Sequence, residues 1–335
     1  MTGQSRLALV TGATGAVGPS VVQALDNAGY RIRTLSLDAP QVGLLPAGID
    51  GWIGDVTDPM VVSPVMQGVE VVIHLAALLH IVNPPPELRE RYEQINVGGT
   101  ATVVDAAIKA GVKRVVLAST IAVYGPSGGR VLDEESVACP DTFYGQTKLA
   151  AEKIVLTARR ADGQPLGTVL RFGAIYGSRI KGNYQRLVHA LSRGRFIPIG
   201  DGRNRRTLVY EKDVARAAVL AIQHPIAAGK VYNVTDGQFH TMQEINLAIC
   251  AALGRKPPRL SIPIIPVRLA AGVLEDVAGL IGLRSPIVRA TIDKYIEDVA
   301  VDSHRIQDEL GFIPQYDLRT GWQETIQELR KSGEL

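Results

Sequence analysis

Cysteine is scarce in this chain of 335 residues, and the two that it has lie far apart. Cys139 and Cys250 belong to no CxxC pair and to no Cys/His cluster, so the sequence predicts neither a metal site nor a disulfide framework. His74 also lacks a partner at metal-ligand spacing, and we expect it to be structural. Unpaired cysteines are typical of a reducing compartment, and we expect the protein to be cytoplasmic.

Long uninterrupted apolar runs are also missing. The run Leu7–Val10 is too short for the core of a signal peptide. The stretch Ile262–Leu283 is more apolar, but prolines and charged residues interrupt it, which argues against a membrane span. We interpret it as an amphipathic helix of a soluble domain, with shallow membrane contact as the alternative.

Charges of the two signs nearly cancel. A net charge of +3 gives no broad basic field, so we expect no nucleic-acid partner. Hydrophobic residues make up 46% of the chain and charged residues 21%. This composition is globular, and the length allows one large domain or two moderate ones.

Apolar strands alternate with helical segments in the first half of the chain. Runs such as Leu7–Val10, Val69–Leu75 and Thr168–Phe172 are apolar almost throughout and are separated by helical stretches. This pattern predicts an α/β fold, a Rossmann-type doubly wound parallel sheet covered on both faces. We predict a Rossmann domain over residues 1–175, to which 207–236 return, and a smaller, interleaved C-terminal substrate domain over 176–206 and 237–335.

A glycine motif follows the first strand and precedes a helix. Gly12, Gly15 and Gly18 have the spacing GxxGxxG. Glycine lets the backbone turn sharply and approach a pyrophosphate, while the helix start offers free N–H groups to the phosphates. In this context the motif predicts a dinucleotide-binding turn.

Tyr144 and Lys148 lie four residues apart on a predicted helix and therefore share a face. A cation beside a phenol lowers the pKa of the phenol. We therefore expect Lys148, together with the positive ring of an oxidised nicotinamide, to make Tyr144 a usable base near neutral pH. A surface helix with a solvated lysine is the alternative.

Together these motifs resemble the extended short-chain dehydrogenase/reductase superfamily, and within it the NAD-dependent nucleotide-sugar epimerase/dehydratase family. The resemblance spans nearly the whole chain. It is carried by Thr11–Gly18, Gly54–Asp58, His74–Ala77, Asn96–Thr100, Ala118–Gly125 and the Tyr144/Lys148 pair.

The resemblance implies a site for NAD, with NADP possible. The implied cofactor residues are Gly12, Thr14, Gly15, Ala16, Val17, Gly18, Ser36, Asp38, Asp55, Val56, Leu75, Ala76, Ala77, Asn96, Tyr144, Lys148 and Phe172. Asp55 would accept a hydrogen bond from the adenine amino group, although a turn aspartate is a fair alternative. Asn96 would support the active site, or only mark a helix start or kink.

The end of the second strand bears on the choice between NAD and NADP. The family places an acid for the ribose hydroxyl where this chain has Ser36. Asp38 lies two residues later, and Arg33 lies earlier in the strand. We expect NAD, with Asp38 reaching the ribose.

The resemblance also implies catalytic roles. Tyr144 would take the proton of a sugar hydroxyl, Lys148 would hold the tyrosine and the cofactor ribose, and Thr120 would position the reacting oxygen. Ser119 precedes Thr120 and is the second candidate for that role. The family's dehydratases carry an acidic pair after this threonine, whereas this chain has Ile121 and Ala122, so we do not expect elimination of water.

Two further residues are implied at the substrate. Arg206 matches an arginine that holds the substrate diphosphate, and Asn183 would reach a phosphate or the base. Ala174 stands where the family often has an asparagine that touches the sugar-diphosphate end.

We therefore expect C4 epimerisation of a UDP-hexose or UDP-N-acetylhexosamine through a 4-keto intermediate. The first alternative is an NAD(P)H-dependent reductase of a 4-keto nucleotide sugar. The second is a dinucleotide-sensing scaffold without turnover. The resemblance also implies a homodimer that pairs the Tyr144/Lys148 helix with the helix after Asn96.

Overall fold

The computed structural model describes residues 6–79, 88–280 and 289–335. The strands are β1 Leu7–Thr11, β2 Arg31–Ser36, β3 Asp50–Ile53, β4 Val71–His74, β5 Arg114–Thr120, β6 Val131–Leu132, β7 Gly167–Phe172, β8 Ala174–Tyr176, β9 Arg205–Arg206, β10 Leu208–Tyr210, β11 Val231–Val234, β12 His240–Thr241 and β13 Ala300–Val301. The α-helices are α1 Gly18–Asn27, α2 Pro59–Val65, α3 Leu88–Tyr92, α4 Thr100–Lys109, α5 Phe143–Thr157, α6 Asn183–Ser192, α7 Glu211–Gln223, α8 Met242–Leu253, α9 Ile264–Leu280, α10 Arg289–Ile296, α11 His304–Leu310 and α12 Leu318–Lys331. A π-helix spans Glu93–Gly99, and 3-10 helices span Ile121–Tyr124 and Pro225–Ala227.

Seven parallel strands form one sheet in the order β11-β7-β5-β4-β1-β2-β3. The order reverses between β1 and β4, where Thr11 pairs with His74. Ligands of doubly wound sheets bind in the crevice that such a reversal opens at the carboxyl ends of the strands. The sheet confirms the predicted Rossmann-type fold and locates the glycine turn at this crevice.

Two apolar layers cover the two faces of the sheet. Along β1, Ala8 and Val10 join the layer that contains α1 and α7, while Leu9 joins the layer of α2, α4 and α5. All three side chains are fully buried. Burial of one leucine contributes roughly 1.5–3 kcal/mol, so packing from both sides fixes the strand that carries the glycine turn.

The C-terminal half has its own aromatic cluster, surrounded by α6, α8 and α12. The ring of Tyr176 stacks on that of Trp322 with 4.5 Å between the ring centroids. Strand β11 pairs with β7 and so belongs to the large sheet. The division into two domains at the stated residues remains a prediction.

The segment after Arg255 differs from its sequence-based prediction. The proline-rich sequence after Arg255 predicts short helices. Helices α10 and α11 are short, with eight and seven residues, whereas α9 has 17 residues and α12 has 14. Pro263 and Pro266 do not interrupt α9 because a proline before or within the first turn removes no intrahelical hydrogen bond. Residues 281–283 of the predicted amphipathic helix lie outside the described ranges, and no helix within those ranges is long and apolar enough to cross a membrane.

The sequence predicts one helix over residues 87–111, and the structure shows that this stretch is not uniform. Residue 87 lies outside the described ranges, and the remainder is divided into α3, a seven-residue π-helix and α4. Gly98 and Gly99 weaken the α-helix at this point. Gly99 also packs closely, because a Cβ there would lie 2.9 Å from Val56 Cγ2. The π-helix determines where Asn96 points.

Candidate active site

The glycine turn after β1 is packed so closely that two of its positions exclude a side chain. Gly12 has φ +71°, and a Cβ there would lie 2.8 Å from the Ala76 backbone nitrogen. A Cβ on Gly18 would lie 2.2 Å from the Ala13 carbonyl oxygen. Bare backbone at the crevice fits the close approach of a pyrophosphate.

Helix α1 begins immediately after this turn without a side-chain cap. Val17 occupies the N-cap position and offers no hydrogen bond, and the described first turn holds no acidic residue. Thr14, Gly15 and Ala16 lead into this helix start. Its positive dipole end and amide groups match the chemistry of a phosphate.

The residues that bear on the choice between NAD and NADP lie on β2 and just after it. Ser36 is buried, and its Oγ accepts a hydrogen bond from the Thr14 amide at 3.3 Å, so it holds the glycine turn. Asp38 is exposed beyond it. Arg33 pairs with Asp50 at 2.5 Å and donates to the carbonyls of residues 65 and 67. These contacts hold the Arg33 guanidinium, so it is not available to bind a 2′-phosphate. The Asp38 carboxylate is available to accept a hydrogen bond from a ribose hydroxyl.

The residues expected around the adenine lie after β3. Asp55 is exposed, and its Oδ1 accepts from the Thr57 amide at 2.8 Å. Asp55 is thus a turn aspartate whose second oxygen is available to an amino group. Val56 is buried against Gly99.

The other predicted cofactor positions divide into two kinds. Leu75, Ala76 and Ala77 follow β4 and are half-buried at the mouth of the crevice. Phe172 is only 4% exposed and packs in the apolar layer of α1 and α7, so its ring is a core side chain.

Helix α5 brings Tyr144 and Lys148 to the same region. The Thr142 side chain caps the helix by accepting from the Gly145 amide at 3.1 Å. A Cβ on Gly145 would lie 2.8 Å from the Ala122 carbonyl oxygen, so α5 begins against the 3-10 turn that follows Thr120. Tyr144 is half-buried and Lys148 is buried.

Burial governs the pKa values of both groups in the protein itself. Burial raises the pKa of Tyr144 to about 12, and Tyr92 adds to the rise. Burial lowers the pKa of Lys148 to about 8 against the opposing charge of Glu152. In the protein alone, burial therefore dominates the pKa of the phenol. The expectation that Lys148 and an oxidised nicotinamide together make Tyr144 a usable base stays a prediction.

Thr120 and Ser119 have different surroundings. Thr120 is half-buried, and its Oγ1 accepts from the Ala122 amide at 3.1 Å, which leaves its proton free to donate. The Ser119 hydroxyl donates to the buried Glu152 carboxylate at 2.5 Å. Of the two candidates, only Thr120 keeps a hydroxyl proton for a substrate oxygen; Ser119 holds α5 to the sheet.

A buried ion pair fixes α5 against β7. Arg171 Nη2 lies 2.6 Å from Glu152 Oε2, and both side chains are at most 7% exposed. Glu152 follows Lys148 by one helical turn on the same face. The pair therefore sets both the position of α5 and the charge beside Lys148.

A chain of hydrogen bonds joins the glycine turn to α4. Thr11 Oγ1 accepts from the Ala76 amide at 3.3 Å and lies 2.7 Å from His74 Nδ1. His74 Nε2 lies 3.1 Å from Thr100 Oγ1, which donates to the Asn96 carbonyl at 2.7 Å. Only a neutral histidine protonated on Nε2 satisfies every donor and acceptor in this chain.

Asn96 continues the connection to the catalytic helix. Its side chain accepts from the Leu78 amide at 2.7 Å and donates to Thr147 Oγ1 at 3.1 Å. Thr147 Oγ1 in turn donates to the Tyr144 carbonyl at 2.9 Å. The turn, the end of β4 and the start of α5 are thus held in one polar network.

His74 makes folding stability depend on pH. Burial lowers the pKa of His74 to about 3, whereas an unfolded histidine titrates near ~6.5. Between these values the unfolded state binds more protons, so stability falls as the pH falls. From pH 7 to pH 5 this group alone removes about 2 kcal/mol of the free energy of unfolding.

Urea unfolding of wild type and His74→Asn at the two pH values measures this term. We expect the stability gap between them to narrow by about 2 kcal/mol on going from pH 7 to pH 5. His304→Asn is the control, because Asp302 raises the pKa of His304 and its contribution has the opposite sign. Parallel pH curves for wild type and His74→Asn contradict the prediction.

The predicted substrate residues both lie in the C-terminal half. Arg206 donates from Nη2 to the carbonyls of Lys294 and Tyr295 at 2.7 and 2.8 Å, which anchors the end of α10. Asn183 is exposed at the start of α6. Burial raises the pKa of its neighbour Tyr184 to about 12, and the nearby charge of Arg206 opposes the rise.

Sequence reasoning missed the groups that position the site. Thr11, Thr147, Glu152 and Arg171 make the hydrogen bonds that hold the turn and α5. The spacing of Glu152 four residues after Lys148 is a usable signal. Nothing in the sequence pairs Thr11 with a histidine 63 residues later.

Comparisons with known proteins agree with this geometry. A model described as the NAD dependent epimerase/dehydratase family matches residues 8–235. UDP-glucose 4-epimerase of Vibrio cholerae is 28% identical over 324 residues, covering 95% of this chain and 94% of the relative. N-acetyl-alpha-D-glucosaminyl-diphospho-ditrans,octacis-undecaprenol 4-epimerase of Escherichia coli O157:H7 is 27% identical over 321 residues, covering 95% and 94%. The structure of MoeE5 in complex with UDP-glucose and NAD is similar with a TM-score of 0.76 at 28% identity, over 97% of this chain and 99% of that chain.

Proposed function

Because the chain belongs to the NAD-dependent epimerase/dehydratase family, which matches residues 8–235, we propose that it epimerises a hexose at C4 while the sugar is carried on UDP. The observation that supports this proposal is that α5, the helix of Tyr144 and Lys148, begins against the 3-10 turn that follows Thr120. Lys148 also lies close enough to His74, at the end of β4, for its charge to help lower the histidine's pKa. Ile121 and Ala122 offer no carboxylate for elimination, so epimerisation is favoured over dehydration.

The residues at the crevice fit NAD. Gly12 and Gly18 leave bare backbone for the pyrophosphate, and α1 directs an uncapped N-terminus toward it. Asp38 is exposed where the ribose hydroxyls would lie, and Arg33 is held elsewhere by Asp50. When bound, NAD supplies an acceptor for the C4 hydride and returns that hydride.

Tyr144 and Thr120 would handle the proton on the C4 oxygen. The Thr120 hydroxyl keeps a free proton, so it can donate to the oxygen while Tyr144, as a phenolate, accepts the oxygen's proton. Because burial raises the pKa of Tyr144 to about 12, the phenolate would need the positive charges of both Lys148 and an oxidised nicotinamide beside it. Lys148, with its pKa lowered to about 8, is still mostly protonated at pH 7 and is the positive charge that the protein places beside the phenol. The 4-keto sugar would then rotate so that the hydride returns to its opposite face. Reversal of the same proton transfer would complete epimerisation.

The diphosphate of the substrate would lie at the C-terminal half. Arg206 has guanidinium donors beyond the Nη2 that anchors α10, and Asn183 is exposed nearby. An arginine is well suited to a diphosphate because its planar fork can bind two oxygens at once. The relative from Escherichia coli is named for a hexosamine carried on diphospho-undecaprenol, so the carrier has to be tested together with the sugar.

Turnover without added cofactor tests the proposed function. Purified full-length protein is denatured, and the released small molecules are identified by mass spectrometry; we expect NAD. The native protein is then incubated with UDP-glucose deuterated at C4, with UDP-N-acetylglucosamine and with the lipid-diphosphate hexosamine. We expect a C4 epimer that retains the deuterium, because the same hydride returns to the sugar.

The other outcomes identify the alternatives. Stoichiometric consumption of added NAD(P)H with a 4-keto nucleotide sugar identifies a reductase. Bound dinucleotide with no turnover of any sugar identifies a scaffold. Either result overturns the proposed epimerase.

We also propose that the active molecule is a homodimer through α4 and α5. Ala150 and Ile154 are half-buried on α5, and this exposure supports a further contact there. Sedimentation velocity at micromolar concentration tests this proposal.

A further inference from the structure

Helix α9 turns an apolar face to solvent. We define the α9 face as the side chains of Ile265, Leu269, Val273, Leu274 and Val277. In that order they are 73%, 67%, 63%, 52% and 50% exposed. Four of them recur every fourth residue, so they form a continuous stripe along the helix. A stripe of this kind normally packs against a core.

The opposite side of α9 is attached to the body of the protein. Ala271 is buried, and Ile264 Cδ1 lies 3.1 Å from where a Cβ of Gly200 would stand. Arg268 pairs with Asp293 of α10 at 2.8 Å. The orientation of α9 is therefore determined by packing, and the α9 face points outward as a result.

This exposure is concentrated in one part of the chain. Of the 21 large apolar side chains exposed in the described ranges, seven fall between residues 260 and 277. Singly exposed apolar residues are normal on protein surfaces, but a contiguous patch marks an interaction site. Leu260 and Ile262 extend the α9 face toward the preceding loop.

The charge before α9 and along its first part is one-sided, whereas Glu275 and Asp276 near the end of the α9 face pair with Arg289. Between residues 254 and 274 the chain has four basic residues and no acidic one. Arg255, Lys256 and Arg259 are exposed, and none of the three is in an ion pair with another described residue. The small net charge of the whole chain hides this local excess.

We propose that the α9 face docks on an anionic phospholipid bilayer, lying in the plane of the interface with the basic segment toward the headgroups. An interfacial helix needs an apolar face that enters the boundary of the acyl chains and basic residues that meet anionic lipids. Each basic residue near an anionic surface adds to the attraction. This surface is separate from Tyr144 and does not depend on the sugar that the active site takes.

A second copy of the chain is a poorer occupant of the α9 face. A two-fold dimer places the same patch on both sides of the interface. A dimer whose axis passes the basic segment would bring that segment against its own copy, whereas an anionic bilayer complements it. Dimerisation through α9 is kept as an outcome of the test.

Vesicle co-sedimentation of the full-length protein tests the proposal. We expect wild type to partition at least tenfold more strongly onto vesicles of phosphatidylcholine with 30% phosphatidylglycerol than onto pure phosphatidylcholine, and to be released by added salt. The variant Leu269→Glu/Val273→Glu should lose at least tenfold of that binding. Arg255→Gln/Lys256→Gln/Arg259→Gln should lose the preference for anionic vesicles.

Ile313→Glu is the matched control, because Ile313 is 72% exposed and lies outside α9. It should bind vesicles as wild type does, and all variants should keep the wild-type unfolding midpoint and the wild-type turnover of soluble substrate. Equal sedimentation of wild type and the α9 variant overturns the proposal. So does a wild-type dimer that the α9 variant dissociates, because the α9 face is then covered by a second copy. If wild type turns over no sugar, the proposed epimerase activity is overturned, but the vesicle result still tests the α9 face.

Discussion

Tyr144→Phe is expected to lower kcat by roughly 10²–10⁴ while NAD stays bound. The substitution removes only the hydroxyl, so the ring still packs against Tyr92 at 6.4 Å between centroids. The C4 oxygen then has no group to take its proton, although Thr120 and Lys148 remain in place. Steady-state turnover and the mass of released dinucleotide are measured on the same preparation.

Tyr92→Phe is the matched control for this prediction. The Tyr92 hydroxyl donates to the Leu79 carbonyl at 2.6 Å, and Tyr92 contributes to the raised pKa of Tyr144. Its loss removes a neighbouring phenol without touching the proton acceptor, and we expect less than a tenfold change in kcat. Equal losses in the two variants would assign the effect to packing. Full activity of Tyr144→Phe would contradict a catalytic role for this tyrosine.

Glu152→Gln is expected to destabilise the fold by about 3–5 kcal/mol. The substitution keeps the size of the side chain and an oxygen for Ser119, but it leaves the buried Arg171 guanidinium without its counter-charge. Removal of one partner of a buried ion pair is costly because the remaining charge stays desolvated. Urea unfolding at pH 7 measures the loss.

The double variant Glu152→Leu/Arg171→Met distinguishes the effect of an unpaired buried charge on stability from the effect of lost packing. Replacing both charges by apolar groups should recover most of the stability that Glu152→Gln loses. A second readout comes from Lys148, since Glu152 raises its pKa. Without Glu152 the pKa of Lys148 falls, and the decline of kcat on the alkaline side should begin at a lower pH. If the double variant is no more stable than the single one, the unpaired arginine is not the cause.

The features that can be predicted from the sequence are local. The glycine turn follows from a strand, three glycines and a helix within twelve residues, and the fold class follows from the alternation of strands and helices. The spacing of Tyr144 and Lys148 places both on one face of α5. Each of these patterns is set by the period of a single element.

The missed parts depend on strand register and on burial. Ser119 lies directly opposite Arg171 in the pairing of β5 with β7, and that alignment brings both within reach of Glu152. No local pattern specifies the register. The burial of Tyr144 depends in the same way on neighbours that are distant in the chain, such as Tyr92, which helps to raise the pKa of the phenol.

The π-helix over Glu93–Gly99 has a consequence for which changes of chain length the protein tolerates. A π turn holds one residue more than an α turn, so deleting one residue here could restore a regular α-helix. Each residue of an α-helix turns the side chains by about 100°. Asn96 would then swing away from Leu78 and Thr147. Such a deletion would give a more regular helix, but it would break the connection that Asn96 makes between the end of β4 and the start of α5. Natural variation in chain length should therefore avoid this turn.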